Sequence, residues 1–176
     1  SIGEKSVALS RVQGYYVGGS TVTLSNLPIQ EIQAIAGGPK RKSDPNGDYQ
    51  VGQLYVQKFS LVSPQARFPL MFWHGGGLTG VTWEDTPDGR PGWHEFFMGH
   101  GHDTLVSDAV ERGRASWARY PEINPGPPEH RPINQAWEMF RFGPDGGYSS
   151  DKTQRKAYPN QQFPTDAAEQ FEKQFV

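Results

Sequence analysis

The sequence predicts an α/β fold in which an antiparallel strand pair leads into a parallel sheet flanked by helices. Three stretches carry that expectation. Residues 51–62 alternate as a strand does, with Val51, Gln53, Tyr55, Gln57 and Phe59 set against Leu54, Val56 and Lys58. Residues 68–108 offer strand, helix and strand in that order, the pattern of a βαβ unit. Near the end, Ala168, Phe171 and Phe175 fall on one helical face.

Taken in order, residues 7–25 are rich in Val, Tyr and Thr and read as strand. Gly18-Gly19 predicts a tight turn there, so that Tyr16 to Val22 spans two strands of a hairpin. Residues 37–49 are polar and rich in Gly and Pro, which predicts a loop with Lys40-Arg41-Lys42 in solvent. Phe68 to Trp73 is a short apolar run, as in a strand covered on both faces. Trp93 to Met98 reads as a helix entered through Pro91-Gly92 and stopped by Gly99 and Gly101. Thr104 to Asp108 is the next strand. Pro121 to Pro132 holds five prolines and excludes regular helix or central strand. Asn134 to Phe142 reads as helix, 143–160 as loop, and Thr165 to Val176 as a helix capped by Thr165 or Asp166.

Composition narrows the function. The 176 residues carry a net charge of −2, which offers nothing to nucleic acid or an anionic membrane. No apolar run approaches a membrane span. With no Cys there is no disulfide framework, thiolate metal site or Cys nucleophile. Leu, Ile, Val and Phe total 35 residues, and after Val110 the aliphatic ones are Ile123, Ile133 and Val176. The last 66 residues carry rings instead, so that third is expected to lean on the first two thirds or on another chain. The absence of an initiating Met and of Asn-x-Ser/Thr sites is compatible with a processed, secreted or periplasmic protein.

One motif carries chemistry. Phe72-Trp73-His74-Gly75-Gly76-Gly77-Leu78 places three glycines just past a strand. Without Cβ atoms, such a turn can aim backbone N–H groups at a developing oxyanion. Gly76 and Gly77 are the candidate donors, with His74, Gly75 and Leu78 supporting the turn. A bulky residue at Gly77 is therefore expected to cost turnover more than folding.

Around that motif the sequence resembles a group of bacterial α/β-hydrolase serine esterases. The resemblance rests on Gly18-Gly19 with Val22 to Ser25, on His74 to Gly80, and on Thr82 to Arg90 with its Thr-Pro-Asp-Gly-Arg run. It continues through Gly92-Trp93, Arg112 to Ser116 and Phe140 to Pro144. It covers most of the chain loosely and about a third closely, and corresponds to the N-terminal half of such an enzyme. It implies an α/β-hydrolase fold, with residues 1–176 forming the N-terminal half of one domain without internal boundary. It implies carboxylic-ester hydrolysis by a Ser, an acid and a His. No Gly-x-Ser-x-Gly occurs here, and Gly147-Tyr148-Ser149-Ser150 follows no strand. The triad is accordingly expected on a C-terminal hydrolase chain that completes the fold, leaving no catalytic residue in this one. The substrate class is a small-molecule ester, with no cofactor, metal, nucleic acid or membrane. A non-catalytic binding or regulatory subunit of hydrolase-like shape is the alternative.

Other residues carry blander readings. In the resembled enzymes the His of the glycine turn braces the loop, so His74 is expected to be structural. Trp83 and Asp108 are candidates for the pocket rim, with a bond from Asp108 to Arg114 in the local turn the favoured reading of Asp108. His94, His100, His102 and Asp103 lack a spacing that sets them on one face, so surface or turn roles outweigh a metal site.

Overall fold

The computed structural model describes residues 6–175. The sheet begins with two long antiparallel strands, β1 (Leu9–Leu24) and β4 (Gly47–Leu61). Val, Tyr and Thr recur along both, residues whose branched or planar side chains suit a pleated surface. Between them, β2 (Gln30–Gln33) and β3 (Lys40–Ser43) pair as a separate two-stranded ribbon. Two expectations are corrected here. Gly18-Gly19 makes no hairpin turn, and residues 37–49 are not all loop. Gly18 and Gly19 have φ of +72° and +91° and face Gly52 at +76°. Gly18 still pairs with Gln53 and Ser20 with Val51, so both strands bend at one place without slipping register. Glycine is needed because both strands leave the β region together. The basic run Lys40-Arg41-Lys42 lies on β3 and is exposed, so its solvation is as expected while its loop is not.

The remaining strands form the part that positions the site. β5 (Leu70–Phe72) and β6 (Thr104–Asp108) run parallel, with Phe72 opposite Val106. β6 also pairs antiparallel with β4, giving the order β1-β4-β6-β5. The sheet is mixed, and its parallel part is confined to the β5–β6 pair. The crossover between them holds α1 (Val81–Glu84) and α2 (Trp93–Gly99), as the glycine punctuation predicts for α2. α2 docks through His94, which is buried between Phe59 and Phe72, with ring centroids 4.4 and 6.1 Å away. Its Nε2 bonds the Thr104 hydroxyl at 2.8 Å. Desolvation lowers the His94 pKa to about 4, against a weaker opposing pull from Asp85. β5 is not covered on both faces. It is an edge strand, and Met71 and the neighbouring Trp73 remain about half exposed.

The last third builds a core of its own rather than only leaning on the sheet. From Ser116 to Pro132 no helix or strand forms, as the prolines require. α3 (Ile133–Met139) and α4 (Ala168–Glu172) then enclose Trp137, Phe142 and Ala168, with Phe140, Tyr148, Phe163 and Phe171 packed around them. Phe142 and Phe163 stack at 4.0 Å. Arg155 lies over Trp137 and Tyr148 and pairs with Glu169. Rings replace aliphatics because each buries a large area and offers an edge to the next face. α4 is entered through a 3-10 turn at Thr165–Ala167, and neither Thr165 nor Asp166 caps it by a side chain. Val176, the expected end of that helix, lies outside the described residues.

Candidate active site

β5 ends at Phe72, and the chain turns at the C-terminal end of the parallel pair, where open α/β sheets present their ligand crevices. His74 is buried directly after it. Its Nε2 accepts the Ala109 N–H at 2.9 Å, so the ring proton sits on Nδ1, which donates to the Gly75 carbonyl at 2.8 Å. Both ring nitrogens are thus committed to backbone, joining the glycine turn to the end of β6.

Within the turn, the Leu78 N–H bonds the Gly75 carbonyl at 3.2 Å. Gly77 has φ of +79°, the value a type II turn requires at its third residue. A Cβ there would stand 2.7 Å from the Phe175 ring and 3.6 Å from an Arg131 nitrogen. A substitution at Gly77 is therefore strained in the backbone and blocked by a neighbour, so it cannot separate turnover from folding as expected. A Cβ at Gly76 would meet nothing within 4 Å. Among the described residues, no backbone acceptor takes the N–H of Gly76 or Gly77. Two adjacent donors left open beyond a parallel strand are what an oxyanion hole needs from this side.

The two N–H groups after Leu78 are also occupied. Thr79 donates to the Gln174 carboxamide oxygen at 3.2 Å, and Gly80 donates to Asp108 Oδ1 at 2.7 Å. Gly80 can only be glycine, since a Cβ would lie 2.7 Å from Val106 and 2.8 Å from the Ser107 carbonyl. Asp108 Oδ2 takes the Arg114 backbone N–H at 3.0 Å and its Nε at 2.8 Å. Burial pushes the Asp108 carboxyl up, but the bonds from Arg114 and Gly80 outweigh it and hold the pKa below the ordinary value. Asp108 is therefore an anchor that joins the turn after β5 to the turn after β6.

A cavity of about 590 Å³, a volume suited to a small organic ligand, opens between the α1–α2 segment and the last third, and none of residues 74–80 lines it. Val81, Trp93, Phe96, Phe163 and Phe171 line it, with Gln174 on the wall toward Thr79. Glu84 also borders it, its pKa raised chiefly by burial. Trp83 and Asp108 are not among the lining residues. Trp83 packs on Phe72 at 5.3 Å, and its indole N–H is buried without an acceptor. The Thr-Pro-Asp-Gly-Arg run closes on itself: Thr86 Oγ1 takes the Arg90 N–H at 2.9 Å, and Arg90 Nε reaches Asp88 at 2.8 Å. The histidines stay apart. His94 serves Thr104, His100 bonds the Phe96 carbonyl at 2.8 Å, and Asp103 takes the Leu61 N–H. Among the described residues no three His, Asp or Glu side chains gather as a metal site would need, and no helix is long and apolar enough to cross a membrane.

Gln174, Phe175 and Arg131 were not legible as site residues in the sequence. They reach the glycine turn from the last third, with Gln174 standing 95 positions beyond Thr79, and no local pattern marks them.

No family model matches the chain. A solved structure described as that of a novel bacterial esterase superposes with a TM-score of 0.73 at 31% identity, covering 98% of this chain and 51% of that one. A protein named "Probable secreted lipase phiG", from Fungal sp. (strain ATCC 74256), is 42% identical over 77 residues, 44% of this chain and 21% of the lipase. The chain thus spans about half the length of the solved esterase, and the aligned segment about a fifth of the fungal lipase. Its mixed α/β sheet, its glycine turn beyond β5 and these two likenesses relate it to ester hydrolases of the α/β-hydrolase type.

Proposed function

We propose that these residues are the oxyanion-bearing part of a serine carboxylic-ester hydrolase. The observation that carries this is the pair of N–H groups at Gly76 and Gly77 that find no acceptor among the described residues, in a turn held by His74, Asp108 and Gln174. In the reaction, a serine attacks the ester carbonyl and an alkoxide-like oxygen develops on the former carbonyl. One or both N–H groups of this turn, with one from the nucleophile elbow, stabilise that oxygen. His74 is not the base, because both its nitrogens are engaged with backbone. The nucleophile, acid and base come from a C-terminal hydrolase part outside these 176 residues. Two features support that arrangement: the sequence holds no Gly-x-Ser-x-Gly, and β5 offers an unpaired edge with Met71 and Trp73 exposed beside the turn. Export from the cytosol belongs to the same proposal, on the strength of the fungal relative's description as secreted.

The test is denaturing intact-mass spectrometry of the natively expressed protein with and without a fluorophosphonate. A covalent adduct on a polypeptide that continues beyond these residues, or on a second chain that copurifies with them, is the expected result, and the masses separate the two cases. Natively expressed protein that takes no adduct and hydrolyses no ester would falsify the reading.

A further inference from the structure

The second unit of this chain reaches back and grips the glycine turn. Gln174 and Phe175 are both buried, at 8% and 4% exposure, and sit at the end of the aromatic core. The Gln174 Oε1 takes the Thr79 N–H at 3.2 Å and lies 3.5 Å from its hydroxyl. Its Nε2 donates to the Phe171 carbonyl at 3.1 Å, so the carboxamide cannot flip without losing both contacts. Phe175 occupies the space beside Gly77 that a side chain would take, 2.7 Å from the ideal Cβ position. Phe175 also contacts Phe140 and Phe171, with centroids 6.1 Å from each. Three contacts thus brace the turn: His74 with the Ala109 N–H past β6, Asp108 with Gly80, and this pair with Thr79 and Gly77.

We propose that Gln174, with Phe175 behind it, is a positioning residue that sets the direction of the Gly76 and Gly77 N–H groups. This rests on the oxyanion reading above. Peptide planes in a glycine turn rotate cheaply, since no Cβ restricts them. A donor contributes to transition-state stabilisation only while it points at the place where the oxyanion forms. With the Leu78 N–H tied to Gly75, the Thr79 N–H tied to Gln174 and Phe175 filling the space beside Gly77, the planes before Thr79 lose that freedom. Gln174 touches no reacting atom; it acts through the turn.

The experiment uses the full polypeptide that contains these residues, as wild type, Gln174→Ala and Gln174→Glu. Glutamate keeps an acceptor for Thr79, loses the donor to Phe171 and sets a carboxylate oxygen against that carbonyl, so it tests the acceptor at some cost in stability. Gln174→Ala is expected to lower kcat about 10- to 100-fold on a p-nitrophenyl ester, the scale of a misplaced donor, with KM within about twofold. Gln174→Glu is expected to recover part of that loss, through the acceptor it keeps for Thr79. Amide hydrogen exchange over residues 74–80 is expected to accelerate in the alanine variant, with exchange in β4 and β6 unchanged. Unchanged exchange in the turn, or equal loss in both variants with acceleration throughout the sheet, overturns the proposal. Wild type that neither hydrolyses ester nor takes a fluorophosphonate overturns the oxyanion reading instead, and the exchange over 74–80 still decides whether the clamp exists.

Discussion

At the scale of single residues, Gly76 and Gly77 are both glycines for different reasons. Gly77 combines a positive φ with a ring against its Cα, so it is glycine for structure. Gly76 has neither constraint, and in the proposed reading its contribution is its N–H. Two substitutions separate these roles. Gly76→Ala keeps the donor and is expected to leave kcat within a few-fold of wild type. Gly76→Pro removes it and is expected to lower kcat about 100- to 1000-fold, the usual loss of one oxyanion donor. Melting curves on both variants keep the comparison fair, and equal activities would remove Gly76 from the hole.

Two buried titratable side chains set opposing pH slopes. Both carboxylate oxygens of Glu172 are buried without a partner among the described residues, and desolvation raises its pKa from 4.5 to about 7. His94 moves the other way, from 6.5 to about 4. The raised acid contributes stability that is full below 4.5 and lost as pH rises through 7. The depressed histidine contributes stability that is full above 6.5 and lost as pH falls through 4. Between 4.5 and 6.5 the two slopes oppose each other. Glu172→Gln removes the first, so the Tm of the variant relative to wild type is expected to rise steadily from pH 4.5 to 7. A difference independent of pH would show that Glu172 does not titrate in that window.

At the scale of elements, the long strands β1 and β4 and the aromatic unit solve one shortage differently. The strands satisfy each other's backbone over almost their whole length while leaving β1 largely exposed. The helices of the last third are five to seven residues long and too short to hold by propensity, so ring packing must hold them. Trp137 is the centre, fully buried and bonded through its indole N–H to the Lys156 carbonyl at 3.3 Å. Trp137→Phe leaves that carbonyl unpaired and part of the volume empty, and is expected to cost about 2–4 kcal/mol. Urea denaturation of the full polypeptide checks the loss. Because the same unit carries Gln174 and Phe175, hydrogen exchange over 74–80 should accelerate in this variant before the strands β4 and β6 open.

For the molecule as a whole, the sheet order β1-β4-β6-β5 leaves β5 at an edge, next to the turn that carries the donors. An unpaired parallel edge with exposed Phe68, Met71 and Trp73 is where further strands extend such a sheet. A nucleophile arriving on a strand beside β5 would meet the glycine turn at the same end of the sheet, which is why the proposed triad belongs on that side.

Much of this was legible in the chain, and the limit is physical. Local patterns determined α2, β6, the βαβ order, the irregular proline stretch and the glycine turn, because each depends on neighbours within a few positions. The bend at Gly18-Gly19 was misread as a hairpin because positive φ serves both, and only the facing Gly52 on β4 distinguishes them. The run Lys40-Arg41-Lys42 became a strand because β2 was there to pair with it. Single residues specified that a glycine turn follows β5; the tertiary structure decided what holds it. His74 to Ala109, Asp108 to Gly80, and Gln174 to Thr79 join segments 28 to 95 positions apart. Such contacts depend on where the fold brings two surfaces together, and neither partner's local sequence records the other.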